Sequence, residues 1–385
     1  MSDQIPLYKT QNTIGVEVLA GIREVLESGW LTLGPKTIEF EKVFSEYVQC
    51  RYGLATNSCT SALYMALSGI DLKKGASVVV PVNTFVATAN VVRLYGAEPV
   101  FCDIDKNGEI DSAKLEVLLK ADDKIDCVIP VHLYGFPCNM ENISKLVKDF
   151  DLKMVEDCAQ AHGAKFGDRA VGSFGDAGCF SFYATKNITT GEGGMLVTNS
   201  SEVNERAILV RNHGQNKTPQ EKASHWRFDV NDLGFNFRMS EISAVMGLIQ
   251  MKRIDLLTKS RLEIAHKYKV ELEKIVGLKM LHDPDSDSRK RGVYHLLEIT
   301  VEKEFPLNRD ELYQFLQDQG IITGVHYIPL HYFSYYQKTT KYKKGDFPCA
   351  EELYSKILSL PMFPFMTDEQ LQRIINALKA AAQSC

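Results

Sequence analysis

The sequence predicts an α/β protein: a large domain on a mainly parallel sheet flanked by helices, then a smaller α+β domain. Three observations carry this. Between residues 54 and 198, short continuous apolar runs alternate with segments of helical spacing, the pattern of βαβ units whose strands are covered on both faces. Past residue 255 that alternation gives way to a charged amphipathic run and a mixed set of helices and strands. The chain has 385 residues, enough for more than one core at roughly 150 residues per domain. The expected division is 1–255 and 256–385.

The composition is that of an ordinary globular protein, with 45% apolar and 24% charged residues. The net charge of −5 argues against a nucleic-acid-binding or membrane-surface face. MSDQIPLYKT lacks a charged-then-apolar leader pattern, and no apolar run reaches about 18 residues. A cytoplasmic protein is expected. The nine cysteines include no CxxC pair, and most sit in apolar runs such as VFCDI and GCFSF, so they read as reduced core thiols. The nine histidines show no metal-ligand spacing. His326 and His331 are separated by Pro329, and no metal site is expected.

In chain order, Val16, Leu19, Ile22, Val25 and Leu26 share one face of a helix over 16–28. Gly29 and Gly34 have P-loop spacing, but Pro35 precedes the lysine and a helix precedes the loop, so that reading fails. Gly34-Pro35 instead opens a helix over 36–48. LATNSCTSALYMAL joins a short strand to a helix whose start, near Ser58 and Thr60, could bind phosphate or simply be capped. Strands at 77–82, 99–104, 126–131 and 152–157 alternate with helices at 84–95, 112–119 and 139–150. Ligands of such sheets gather at the carboxyl ends of strands. Asn83, Thr84, Asp103, Asp105, His132, Glu156 and Asp157 stand at those ends. Asp157 follows a buried strand directly, which suits either a site carboxylate or a turn.

The stretch GCFSFYATKNITTGEGGMLVT places two buried strands around a loop carrying Lys186. Three glycines among Gly191-Glu192-Gly193-Gly194 indicate positive φ or close backbone approach. Desolvation at such a place lowers a lysine pKa and frees its amine as a nucleophile; a solvated hairpin lysine is the plain alternative. A helix over 202–210, a polar loop over 212–224 and a helix starting at Ser240 follow, the last continuing into the charged run 255–275. The remainder predicts strands at 293–301 and 322–327 and helices at 309–317, 349–358 and 367–382.

A phosphate-suited helix start at Cys59-Thr60, a strand-end carboxylate at Asp157 and a desolvated Lys186 together match what pyridoxal phosphate (PLP) requires. The stretches GWLTLGPKTIEFE, NSCTSALYMAL, PVNTFVATAN, GAEPVFCDID, VHLYGFPCNM, VEDCAQAHGA, SFYATKNITTGEGGM, LGFNFRMSEISAVMG, VHYIPLH and LSLPMFP follow in that order along nearly the whole chain. By these stretches the chain resembles the DegT/DnrJ/StrS sugar aminotransferases. The resemblance implies the aspartate aminotransferase-like architecture of fold type I, with a seven-stranded-type, mainly parallel sheet. It also implies a homodimer with shared active sites.

By position, the resemblance implies that Lys186 holds PLP covalently and later moves the proton. Asp157 would pair with the pyridine nitrogen, Gln160 would meet the ring hydroxyl, and Phe85 would stack on the ring. Cys59, Thr60 and Ser181 would hold the phosphate, with Asn236 reaching it from the partner subunit. Cys59 departs from the Gly or Ala of many relatives, which a backbone contact tolerates; Tyr183 stands where many have His. Thr32 and His326 are candidate sugar contacts. A lysine at 186 implies amino transfer, where a histidine-bearing branch dehydrates. The implied donor is L-glutamate and the implied acceptor a nucleotide-linked 4-keto-6-deoxyhexose. Trp30 to Pro35 and the GEGG run favour C4 over C3. A C3-keto sugar or cyclitol acceptor is the alternative within the family. A non-catalytic regulator on this fold would be expected to lose Lys186 or Asp157, and a dinucleotide-binding oxidoreductase lacks its GxGxxG. The nucleotide, the hexose and the product's use in O-antigen, protein glycan or antibiotic are not written in these residues.

Overall fold

The structure, a computed structural model, describes residues 4–215 and 227–384. Its main sheet contains β1 (Tyr52–Thr56), β2 (Ser77–Pro81), β3 (Glu98–Cys102), β4 (Ile125–Val128) and β5 (Lys153–Asp157). A hairpin of two-residue strands, β6 (Lys165–Phe166) and β7 (Arg169–Ala170), lies outside it. The sheet is completed by β8 (Ala177–Ser181) and β9 (Gly194–Thr198), in the order β1-β9-β8-β5-β4-β2-β3. All pairings are parallel except those of β9, which runs antiparallel to both β1 and β8. Val78, Val79 and Val80 of β2 and Cys179 and Phe180 of β8 are fully buried, as expected for strands covered on both faces.

Helices α1 (Glu17–Ser28), α2 (Pro35–Tyr47), α3 (Cys59–Gly69), α4 (Ala87–Tyr95), α5 (Ser112–Ala121), α6 (Met140–Asp149) and α7 (Ser201–Arg211) accompany this sheet. The apolar, small-residue sequence of α3 lets it sit close: Ala62, Met65, Ala66 and Leu67 are fully buried. Proline at the start of α2 suits a first helical turn. Its cap comes from far away, since Glu241 accepts hydrogen bonds from the N–H groups of Gly34 (2.8 Å), Lys36 (2.8 Å) and Thr37 (2.9 Å). Ser240 caps the helix Glu241–Met251 as expected, and a break at residues 252–253 separates it from the helix Ile254–Leu272.

A second sheet orders β10 (Leu278–Met280), β12 (Leu297–Val301) and β13 (Ile357–Leu360), all antiparallel. The two-residue β11 (Lys290–Arg291) pairs with β6. Three expectations change here. The segment 322–327 forms no strand; it contributes only a bridge from Gly324 to Ser359, next to one from Ile321 to Ile5. The helix expected over 349–358 runs Pro348–Lys356 and turns directly into β13. Thr60 lies inside α3, and Ser58 is its cap, accepting from the Ser61 N–H at 3.1 Å. Of the polar loop expected over 212–224, residues 216–224 lie outside the described residues. The described cysteines are all free thiols, and no helix among the described residues is long and apolar enough to cross a membrane.

Candidate active site

A cavity of about 410 Å³ opens at the carboxyl ends of β1, β2, β5 and β8. Cys59, Thr60, Phe85, Asp157, Gln160, Ser181, Lys186 and His326 all line it. Parallel strands deliver their C-terminal loops to one edge of the sheet, so residues distant in sequence converge there.

Lys186 lies in the connection from β8 to β9, its N–H bonded to the Tyr183 carbonyl at 2.9 Å. Burial pulls its amine down from 10.5 to about 8, against the opposing pull of Cys59 and Asp157. The connection depends on its glycines. Gly191 has φ of +80°, a conformation other residues resist. A Cβ at Gly194 would meet the Ser58 carbonyl at 2.5 Å and the Cys59 nitrogen at 2.6 Å, so glycine lets β9 touch the start of α3.

That helix start presents the Cys59 and Thr60 N–H groups, which have no partner among the described residues. With the helix dipole they form a site for an anionic group. The Cys59 thiol is pushed well above its ordinary value by burial and stays uncharged beside it. Ser181, at the end of β8, adds a hydroxyl that accepts from the Tyr183 N–H at 3.3 Å.

Asp157 ends β5 and is buried. Its Oδ2 accepts from Thr88 Oγ1 at 2.7 Å and its Oδ1 from the Ala159 N–H at 3.0 Å. Burial raises its pKa despite those bonds, so the carboxylate is held in place yet short of counter-charge. Gln160 Oε1 accepts from the Tyr134 N–H and its Nε2 donates to the Tyr327 hydroxyl, both at 2.7 Å. One amide hydrogen remains for a ligand. Phe85 is 56% exposed at the cavity, with its ring 5.9 Å from that of Tyr327.

Thr32 and Asn236 do not line this cavity. Both are exposed on neighbouring backbone: Thr32 bridges to Ser240, and Asn236 to Asn212. Two other strand-end acids serve elsewhere. Asp103 binds Lys114 and the Cys349 and Ala350 N–H groups, while Asp105 ties its own turn through Asn107 and Glu109. His331 pairs with Glu351 at 3.0 Å, away from His326. His132, Glu156 and Cys158 place ligand-type atoms within 4.8 Å of one another. Glu156, however, already accepts from His132, Gly172, Phe174 and Gly175 at 2.7–2.9 Å, which fills its lone pairs with donors.

Sequence reasoning missed Tyr8, Thr88, His295 and Tyr327 in the cavity. His295 carried a signal, a lone imidazole in an apolar strand-like run; Thr88 followed Phe85 at helical spacing. Tyr8 carried none.

Comparison with known proteins agrees with this geometry. The family model for the DegT/DnrJ/EryC1/StrS aminotransferases matches residues 12–379. The spore coat polysaccharide biosynthesis protein SpsC of Bacillus subtilis is 40% identical over 374 residues, covering 95% of this chain and 94% of the relative. GDP-perosamine synthase of Vibrio cholerae is 31% identical over 360 residues, covering 93% and 94%. The structure of Helicobacter pylori PseC, an aminotransferase involved in the biosynthesis of pseudoaminic acid, superposes with a TM-score of 0.89 at 30% identity, covering 97% and 98%. Family members are PLP-dependent, and solved relatives include PLP and PMP forms. The fold is that of the fold type I sugar aminotransferases, and the chain belongs to the DegT/DnrJ/EryC1/StrS aminotransferase family.

Proposed function

We propose that this enzyme binds PLP in the cavity and transfers an amino group from L-glutamate to C4 of a nucleotide-linked 4-keto-6-deoxyhexose. One observation carries the reading: an amine at about 8, a buried carboxylate short of counter-charge and an unpartnered helix N-terminus share one cavity. These are the three requirements of an aldehyde, a protonated ring nitrogen and a phosphate. The group fits the residues present. When bound, PLP supplies an electron sink for the bonds at the amino-bearing carbon.

The residues then take these roles. Lys186 holds the cofactor covalently and, once released, its amine moves the proton at that carbon; a pKa near the working pH suits both tasks. Asp157, fixed by Thr88, keeps a ring N–H in place. Gln160 offers its remaining amide hydrogen to the ring hydroxyl, and Phe85 covers one ring face. Cys59 and Thr60 donate to the phosphate from the helix start, with the Ser181 hydroxyl opposite.

A homodimer completes this reading. Trp30, Leu31 and Phe235 are exposed apolar side chains that a partner subunit would cover. Asn236 and Thr32 would then serve the partner's cavity, and His326 the sugar of its own. Trp30 to Pro35 and the GEGG run support C4. The names GDP-perosamine synthase and SpsC support a nucleotide-sugar acceptor and a cell-surface polysaccharide, made in the cytoplasm. The division at 255 belongs to the same proposal; the strands of the main sheet all precede residue 199.

The test is an absorbance spectrum of the purified protein before and after L-glutamate. A visible cofactor band that shifts to the shorter-wavelength aminated form is expected. UDP-, dTDP- and GDP-4-keto-6-deoxyhexoses are then screened for restoring it. A protein with no band even after PLP is added would refute the assignment.

A further inference from the structure

Behind His326 the fold builds a line of polar groups that leads out of the cavity into the sheet of β10, β12 and β13. Glu298 on β12 and Ser359 on β13 are directly opposed in register. Ser359 Oγ lies 2.7 Å and 2.9 Å from the two carboxyl oxygens of Glu298. On its other side, Ser359 Oγ is 2.5 Å from His326 Nδ1. Gly324 bridges to Ser359, and a Cβ there would meet His326 Cε1 at 2.8 Å, so glycine gives the imidazole room to fold back. With Nδ1 turned to Ser359, Nε2 is the ring nitrogen left to meet a ligand in the cavity.

Glu298 and Ser359 are buried, and no lysine or arginine pairs with Glu298 among the described residues. Burial pushes the Glu298 carboxyl up to about 8 and the His326 imidazole down to about 4. The titratable groups facing Glu298 are His326 and the hydroxyls of Tyr8, Tyr134 and Tyr327, each of these tyrosines raised by burial. The Arg261 guanidinium acts on Tyr8 and donates to the carbonyls of Tyr294 and Met362, and Lys186 and His295 bear on His326. An uncharged acid beside an uncharged imidazole is therefore the resting state near neutrality.

We propose that Glu298, Ser359 and His326 form a proton relay that delivers a proton from His326 Nε2 to the carbonyl oxygen of the keto-sugar. This rests on the sugar-aminotransferase reading. As the incoming amine nitrogen bonds to the carbonyl carbon, the C=O π pair moves to oxygen and takes the Nε2 proton. Nδ1 takes the Ser359 hydroxyl proton, and Ser359 takes the Glu298 proton. Glu298 ends as a carboxylate, His326 stays neutral in its other tautomer, and no imidazolium forms. Glu298 and Ser359 are positioning residues acting through His326. Near neutrality His326 is a neutral imidazole with a single N–H, and giving up that proton would leave an imidazolate unless Nδ1 is reprotonated in the same step, which Ser359 and Glu298 accomplish.

The deciding measurement is the side-chain nitrogen NMR spectrum of the ¹⁵N-histidine-labelled holoenzyme from about pH 6 to about pH 10. The His326 signals are identified by their loss in His326→Gln. Expected is the Nε2–H tautomer at low pH, converting to Nδ1–H with a midpoint near 8. Glu298→Gln should abolish the conversion, lower kcat by about 10²-fold with KM little changed, and remove the alkaline limb of the rate profile. Ser359→Ala cuts the chain with Glu298 intact and should also abolish the conversion. A single tautomer across the range in wild type, or conversion that persists in either variant, overturns the relay. The tautomer is read without substrate, so a relay found in a protein that does not aminate keto-sugars would refute the activity and leave the relay standing.

Discussion

Replacing Lys186 by methionine should stabilise the cofactor-free protein at neutral pH while ending its chemistry. The amine is held at about 8 where an unfolded chain would have 10.5. At roughly 1.36 kcal/mol per unit, keeping it charged in the fold costs about 3 kcal/mol. Methionine fills a similar volume without that cost. Part of the gain is offset because Asp157 loses its cationic neighbour, so a net gain of about 1–3 kcal/mol is expected at pH 7. The sign follows from proton counting. The folded-state pKa is depressed, so between about 8 and 10.5 the unfolded chain binds the extra proton and wild-type stability rises with pH. The penalty is complete below about 8 and gone above 10.5. Urea unfolding of both cofactor-free proteins, repeated from neutral to alkaline pH, reads the difference directly; taking the difference cancels Glu298 and every other shared titration. The methionine variant should lead at pH 7 and lose its lead as the pH rises. A variant less stable than wild type at pH 7, or a gap that ignores pH, would show that Lys186 is not held desolvated.

Three further outcomes follow from the same geometry. In Gly194→Ala the Ser58 backbone must retreat by about 0.9 Å to reach a 3.4 Å contact; stability should fall by about 1–3 kcal/mol and PLP affinity by about 10–100-fold, read by thermal unfolding and absorbance titration. Asp157→Asn keeps an oxygen for the Ala159 N–H and turns an amide N–H to the Thr88 hydroxyl, which can accept, while removing the buried charge, so Tm should hold or rise while kcat falls by about 10²–10³-fold; unchanged turnover would remove the carboxylate from the mechanism. Glu241→Ala strips the acceptors from Gly34, Lys36 and Thr37 and should cost about 3 kcal/mol in urea, with Glu241→Gln losing less because one oxygen remains.

How far the fold could be read depended on whether its information was local. The parallel strands were legible because burial on both faces writes a continuous apolar run. Ile357–Leu360 was not, because it follows a helix with no turn residue between and its apolar run continues the helical one. The segment 322–327 has the composition of a strand, yet it meets its neighbours at single bridges only. In the site, Lys186, Asp157 and the start of α3 were legible from strand ends and small-residue loops. Thr88 behind Asp157 and Tyr327 on Gln160 depend on contacts 69 and 167 residues apart. Glu298 is a single acid in the apolar strand expected over 293–301, a signal the sequence reading passed over, and its partner Ser359 lies 61 residues on, in the strand that was missed.

Glu156 and Asp157 show how one strand separates structure from function. Adjacent residues on β5 point to opposite faces. Glu156 turns to the back of the sheet and ties Gly172, Phe174, Gly175 and His132 to both its oxygens. With four donors it has no capacity left for a metal or substrate, and it fixes the backbone that carries its neighbour. Asp157 turns to the cavity with only two donors, one on each oxygen. Its remaining lone pairs and raised pKa call for a cation that no residue on its face supplies rigidly, Lys186 being itself drawn toward neutrality. The pair of acids is thus read by counting donors, and the one left short is the carboxylate to which the proposed function assigns a protonated ring nitrogen.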